Sequence, residues 1–239
     1  MKELSWSYSM YSSALNCLAC FHKQYILGEK PVGPESADLA FGTCMHSAAN
    51  SYWNGEDGEA VFTLFWDTLD PSTMEYSRFK HHELRALGLK FCRILKNKYV
   101  PRMQMSKGEV RLHGMNYECK LNGQLDFYGT LDGKLTLLDL KTSAYNYPAE
   151  KKLTALQLNL YAYLALENGY EPPEQLGYLV LSKGGGSVQA PLVWKFDPGE
   201  CLRMVNEMVM YCRMFQTMQM YPRNPNCPRH AFRCYEEAA

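Results

Sequence analysis

Hydrophobic spacing divides the chain near residue 108. Before that point apolar residues recur at helical intervals. Leu84, Leu87, Phe91, Ile94 and Leu95 predict a helix over roughly 81 to 99, with Pro101 marking its end. The stretch MYSSALNCLACFHKQYIL predicts another, with Ser7 or Ser9 as its cap. A further helix is expected over SADLAFGTCMHSAANSYW, stopping at Asn54-Gly55. After residue 108 the period falls to two. GEVRLHG, NYECKLNGQLDFYG and KLTLLDLKT read as successive strands. Then come a helix over PAEKKLTALQLNLYAYLALENG and two strands, QLGYLVLS and SVQAPLVWKF, joined by a turn at Gly184, Gly185 and Gly186. The last helix starts at Asp197, with Pro198 at its first position and Glu200 completing a capping-box pattern, and runs to about Met220. The tail YPRNPNCPRHAFRCYEEAA is broken by prolines.

Helices, a meander of strands, a helix, two strands and a helix predict an α/β fold, a central mixed β-sheet flanked by helices. The expected organisation is one unit over 1–239. Residues 1–105 form a mainly helical part, 106–196 a sheet core, and 197–239 a C-terminal helix with a cysteine-bearing tail.

Within the sheet, GQLDFYGTLDGKLTLLDLKTS breaks the apolar pattern with charge. Asp132-Gly133 is a strong signal for a two-residue hairpin turn. If Leu131 pairs with Lys134, Asp126 falls opposite Asp139, where side chains lie about 5 Å apart. Alternation places Asp139 and Lys141 on one face and Leu138 and Leu140 on the other. Two buried carboxylates that close repel, and one would take up a proton. A hard divalent cation such as Mg²⁺ between them removes that conflict and leaves positions open for water and phosphate oxygens. Lys141 can then hold the water and a phosphate oxygen, the arrangement of metal-assisted phosphodiester hydrolysis. The competing reading is an exposed hairpin face of ordinary ion pairs.

Composition adds little, with 46% apolar and 21% charged residues and a formal net charge of zero. The charge is uneven, however. Residues 51 to 75 are acidic, whereas the segment from 76 onward carries Arg78, Lys80, Arg85, Lys90, Arg93 and Lys96. These read either as a solvated helix face or as a phosphate-facing surface. The N-terminus lacks a long apolar run and a small-residue cleavage site, and no apolar span reaches membrane length, so neither signal peptide nor transmembrane segment is expected. Nine cysteines, an odd number, fit a reducing cytoplasmic compartment, with metal ligation for some of them. Cys44, Cys92, Cys119, Cys201 and Cys212 are expected in the core. Cys17 and Cys20 form a CxxC pair, and Cys227 and Cys234 flank His230 in the tail.

The segment GQLD, then twelve residues, then DLK resembles the core of the PD-(D/E)XK nucleases, in particular the RecB-like branch that includes CRISPR-associated and phage exonucleases. SYSMYSSALNCLACF resembles that branch's S-x-S…C…F helix, FGTCMH its G-x-x-x-H helix and QLNLY its Q-x-x-x-Y helix. The resemblance runs from about residue 7 to 234 and implies a restriction-endonuclease-like core. It implies His46, Asp126 and Asp139 as ligands of Mg²⁺ or Mn²⁺, with the Leu140 carbonyl as a further oxygen. Lys141 becomes the catalytic lysine, and Gln157 and Tyr161 share one helix face toward the site or DNA phosphate. Many relatives also bind a [4Fe–4S] cluster through one N-terminal and three C-terminal cysteines. Here the tail holds only Cys227 and Cys234, so Cys20 or His230 would be the fourth ligand beside Cys17, with zinc as the alternative occupant and ordinary buried thiols as the competing reading.

The implied function is a metal-dependent DNA exonuclease or end-processing nuclease acting on single strands or free ends, alone, as a homo-oligomer or in a complex with other DNA-processing proteins. Such enzymes serve CRISPR adaptation, phage replication and DNA repair. Two other readings compete: a catalytically silent DNA-binding or assembly subunit, and a metal-stabilised structural protein whose hairpin acids are incidental.

Overall fold

The computed structural model describes residues 4–30 and 33–227. Cys234 and His230, two of the expected ligands, lie outside the described residues. The first elements are β1 Ser5–Trp6, α1 Tyr8–Asn16, α2 Leu18–Phe21, β2 Glu35–Ser36, α3 Ala37–Trp53, α4 Gly58–Asp67, β3 Met74–Glu75 and α5 His81–Ile94. Then follow β4 Met103–Gly108, β5 Arg111–Asn116, β6 Cys119–Gln124, β7 Phe127–Leu131 and β8 Lys134–Ser143. The last are α6 Leu156–Glu167, β9 Gln175–Ser182, β10 Ser187–Val188, β11 Leu192–Lys195 and α7 Pro198–Thr217.

The larger sheet is mixed, in the order β10-β9-β8-β7-β4, with β11 also pairing β9. Strands β8 and β9 are parallel, and α6 makes the crossover that a parallel pair requires. The β7–β8 hairpin is antiparallel around the Asp132-Gly133 turn, with Leu131 opposite Lys134 as expected. Helices cover both faces of the sheet. On one face α6 and α7 pack over Leu137, Tyr178 and Val180; on the other α3, α4 and α5 pack over Leu140, Leu179 and Leu181. Burial on both sides explains why QLGYLVLS is nearly all apolar instead of alternating.

Several expected elements divide. The N-terminal helix breaks at Cys17, whose backbone is extended, and resumes as α2 followed by a π-helical turn, His22–Leu27. Ser7 is the cap of α1, accepting from the Met10 amide at 3.2 Å. The 81–99 helix ends at Ile94 and finishes in a π turn, Leu95–Tyr99. The stretch before α6 is a 3₁₀ segment, Ala149–Thr154, and SVQAPLVWKF is two short strands, β10 and β11. Pro191 supplies no amide to a ladder, which suits the gap between them. Asp197 caps α7 through the amides of Gly199 and Glu200, but the Glu200 carboxylate pairs with Arg203 instead of closing a capping box. The sequence reading did not separate α4 or β4.

The most consequential correction concerns NYECKLNGQLDFYG. It is not one strand. Its first half, β6, joins β1 and β5 in a separate three-stranded sheet, and its second half, β7, joins the large sheet. The chain changes sheets at Leu125 and Asp126, where the Leu125 amide bonds to the Val110 carbonyl. The ladder with β8 therefore ends at Phe127 opposite Leu138, one pair short of Asp126 and Asp139.

Candidate active site

The change of sheets leaves a fork, and the charged residues gather in it. Freed from the ladder, Asp126 turns its carboxylate toward β8. Its Oδ2 accepts the Leu140 amide at 2.9 Å and its Oδ1 lies 3.2 Å from Nδ1 of His46. His46 arrives on α3, which approaches β8 closely through Gly42. A Cβ there would stand 3.2 Å from Oγ1 of Thr142, so the missing side chain lets α3 come near, and His46 follows one turn later. Asp139 is 2% exposed, Asp126 12%, Lys141 27% and His46 31%, so the group runs from the interior to an open side. Asp139 and Lys141 share a face, as alternation requires, and Lys141 Nζ lies 2.7 Å from Oδ2 of Asp139.

Tyr161 and Gln157 come from α6, and the Gln157 amide donates to the Tyr161 hydroxyl at 2.8 Å. The Tyr161 ring fits because β6 carries glycine at 123: a Cβ there would stand 2.8 Å from the ring. Beside this ring lies a cleft of about 340 Å³ lined by Ser7, Ser9, Arg111, His113 and Asn122 among others.

The electrostatics of the group follow from its burial. Burial raises the Asp139 carboxyl; Lys141 pulls it down less than burial and Asp126 together push it up, and it settles at about 6. Burial would lower Lys141, but Asp139 outweighs it and holds the ammonium well above its ordinary value. Burial would also lower the His46 imidazole, and the hydrogen bond and charge of Asp126 reverse that to a net rise. Burial raises Tyr161, and the charge of Asp139 raises it further, so it remains a neutral donor.

Sequence reasoning passed over Glu109, in the turn between β4 and β5. Its φ is 37°, unusual outside glycine, and burial followed by the charge of Asp126 raises its carboxyl while His46 opposes. Tyr147 was passed over too; it packs on Tyr178 and feels Lys141 and Asp139. Neither residue lies in a motif. Only the tertiary fold brings them to the fork.

A divalent ion suits these donors. Oδ2 of Asp139 is buried without a well-directed hydrogen bond among the described residues, and the Lys141 ammonium is its charged neighbour. A cation beside two carboxylates and an imidazole would satisfy that oxygen. The acids and His46 are not drawn as close as the thiols where the two ends of the described chain meet. Among the described residues, Cys17, Cys20 and Cys227 are the group of His, Cys, Asp or Glu donors that lie within 4.8 Å of one another, and all three are buried. Cys20 and Cys227 sulfurs stand 3.7 Å apart, and the Asn224 amide donates to Cys17 Sγ at 3.4 Å. Burial would raise Cys17, but that amide and Cys20 outweigh it and hold it below its ordinary value; burial and its two neighbours push Cys20 to about 12. The five cysteines expected in the core are all buried.

The basic segment divides. Arg85 pairs with Asp67 at 2.7 Å and Arg93 with Glu59 at 3.2 Å. Lys96 lines a shallow cleft with Asp57 and Glu59. Lys80 precedes α5, its amide donating to Glu83. Arg78 and Lys90 have no ion-pair partner among the described residues and approach the triglycine turn. Among the described residues, no helix is long and apolar enough to cross a membrane.

Among curated proteins none matches this chain. Among solved structures, a presumed exonuclease from Eubacterium rectale aligns with a TM-score of 0.61 at 15% identity, over 95% of this chain and 87% of that one. SSO0001 aligns with a TM-score of 0.34 at 15% identity, over 81% of this chain and 84% of its own. VC1899 from Vibrio cholerae aligns at 0.25 and 9% identity, over 89% of this chain and 57% of its own. A family model for the PD-(D/E)XK nuclease superfamily matches residues 5–228. That span holds the fork, the hairpin, α6 and the three gathered thiols, and with nearly the whole chain matched, the protein belongs to the PD-(D/E)XK nuclease superfamily.

Proposed function

We propose that this nuclease-family chain is a divalent-metal-dependent DNA exonuclease or end-processing enzyme of the RecB-like kind. The carrying observation is the convergence of His46, Asp126, Asp139 and Lys141 at the fork. His46, Asp126 and Asp139 would hold Mg²⁺ or Mn²⁺, with the Leu140 carbonyl beside them. The ion, when bound, supplies positive charge at the phosphoryl oxygens. The chain's own groups do the rest. The Leu140 amide fixes one oxygen of the Asp126 carboxylate and leaves the other beside Nδ1 of His46. Lys141 donates to a non-bridging phosphate oxygen and orients the attacking water. Tyr161, positioned by Gln157, donates to a phosphate oxygen from the α6 side. Cys17, Cys20 and Cys227, joined by Cys234, would hold a [4Fe–4S] cluster, with zinc as the other metal that such a set takes.

Labelled single- and double-stranded DNA incubated with Mn²⁺ or with EDTA tests the reading. Cleavage is expected with Mn²⁺ alone, and Asp139→Ala and Lys141→Ala should each lower the rate about a hundredfold or more. Cleavage that both variants retain would overturn the assignment. DNA binding with no cleavage under any divalent ion would favour a silent DNA-holding subunit.

A further inference from the structure

The end of β9 carries a feature that the fork does not use. Strands β8 and β9 run parallel with Lys141 beside Val180 and Ser143 beside Ser182. Immediately after Ser182 the chain enters Lys183, Gly184, Gly185 and Gly186. This turn therefore starts three residues beyond the register of Lys141, about 10 Å along the strands. It lies past the carboxyl ends of a parallel pair, where open α/β sheets commonly bind ligands.

Two cations face the turn. A Cβ on Gly184 would stand 3.4 Å from Nη1 of Arg78, and one on Gly186 would stand 3.1 Å from Nζ of Lys90. Side chains at these positions would fill the space in front of both charges. Gly184 is also pressed against the chain behind it, since its Cβ would lie 2.5 Å from the Ala144 carbonyl oxygen. Gly186 has φ of 54°, which disfavours a side chain.

The surroundings hold Arg78 in place. Lys183 is 8% exposed and pairs with Asp38 at the start of α3, and the other Asp38 oxygen accepts the Ser77 hydroxyl at 2.5 Å. The residue before Arg78 is thereby tied through α3 to the residue that opens the turn. The guanidinium lies over the Phe79 ring, 5.3 Å from its centre. The charge of Lys183 is answered by Asp38, while Arg78 and Lys90 remain exposed and without an ion-pair partner among the described residues. Arg85, Arg93 and Arg102 differ, being neutralised by Asp67, Glu59 and Asp132.

We propose that Arg78, Lys90 and the turn Gly184 to Gly186 form a subsite for a non-scissile backbone phosphate of the substrate strand. The proposal rests on the nuclease reading above and adds the path by which the strand leaves or enters the fork. Backbone phosphates carry no base identity, so this contact positions the strand irrespective of sequence. The glycines leave the approach open and the two cations supply the charge.

Binding of a fluorescein-labelled oligo(dT) to Asp139→Asn protein, followed by anisotropy in EDTA over a series of salt concentrations, tests this. Arg78→Gln and Lys90→Gln, placed in that background, should each weaken binding several-fold. Losing the single phosphate contact should flatten the plot of log affinity against log salt by about 0.7. Arg85→Gln, which removes a guanidinium already neutralised by Asp67, should leave the slope unchanged. In the otherwise native protein Arg78→Gln should raise KM with kcat nearly constant. If the Arg78 and Lys90 variants keep native affinity and slope while native protein cleaves and Lys141→Ala does not, the subsite is wrong and the nuclease reading stands. If Lys141→Ala cleaves as fast as native protein, the nuclease reading fails and the subsite falls with it.

Discussion

Asp139 is buried at a cost to the fold, and its proton gives a direct test. An unfolded aspartate titrates near about 3.9, whereas in the fold burial lifts Asp139 to about 6. Between those values the folded chain keeps a proton that the unfolded chain has released, so stability falls as pH rises through that window. His46 acts with the same sign. Its net rise contributes stability that is present below about 6.5 and lost as pH climbs through its folded value. Urea unfolding in EDTA should therefore show the metal-free protein losing stability from about pH 4 to beyond about 6.5, with Asp139→Asn flattening the lower part of that decline. Mn²⁺ must displace these protons, so its stabilising effect should grow with pH over the same range. A stabilisation by Mn²⁺ that is independent of pH would mean that neither group is a ligand. At this scale much was legible beforehand: two acids and a lysine inside an apolar hairpin are conspicuous in a sequence. The bond from Leu140 to Asp126 was not, because it depends on the ladder stopping early.

Elements reveal where pattern reading runs out. Asp132-Gly133 fixed the β7–β8 register because turn chemistry is local. Alternation alone could not locate the break at Leu125, since a strand that changes sheets keeps its period of two while its hydrogen-bond partners change. The crossover helix was legible in outline, but its meeting with β6 depends on Gly123, a glycine whose purpose shows only once α6 is in place. Gly123→Ala should push Tyr161 off its position and lower cleavage while the fold survives, at a cost of about 1–3 kcal/mol from overpacking. Gly88 on α5 offers the contrast. Alanine ordinarily improves a helix by about 1 kcal/mol over glycine. Here, however, the added Cβ would stand 1.9 Å from Cζ of Phe62 on α4. That clash outweighs the propensity gain, so Gly88→Ala should destabilise the protein in urea by about 1–3 kcal/mol while the folded fraction keeps its specific activity. Equal losses of activity per folded molecule in both variants would show that Tyr161 has no particular part in the reaction.

Across the whole molecule, the two ends of the described chain meet. Trp6 stacks on Phe21 at 5.2 Å, Phe215 of α7 leans on both, and His22 stacks on Tyr221 at 4.1 Å. The Asn224 side chain donates to the Asn16 carbonyl at 2.7 Å. The cysteines stand beside this contact, and the Cys20 and Cys227 thiols meet across a separation of 207 residues. The CxxC was visible in the sequence, but its choice of partner was not, because the break at Cys17 that turns both thiols inward interrupts what reads as a continuous helix. A shared metal would close a long loop, worth about 5 kcal/mol if nothing else held the ends. Aromatic packing already restrains them, so a smaller effect is expected, about 1–2 kcal/mol, or roughly 2–8 °C in the thermal midpoint for a chain of this size. Freshly purified protein should contain iron and sulfide with a brown visible absorption, or zinc without colour. Cys227→Ser should lose the metal and the corresponding midpoint, whereas Cys119→Ala, a core thiol away from the group, should keep the metal. A Cys227→Ser protein that retains its full metal content and midpoint would show that these thiols are no more than a buried contact between the chain's ends.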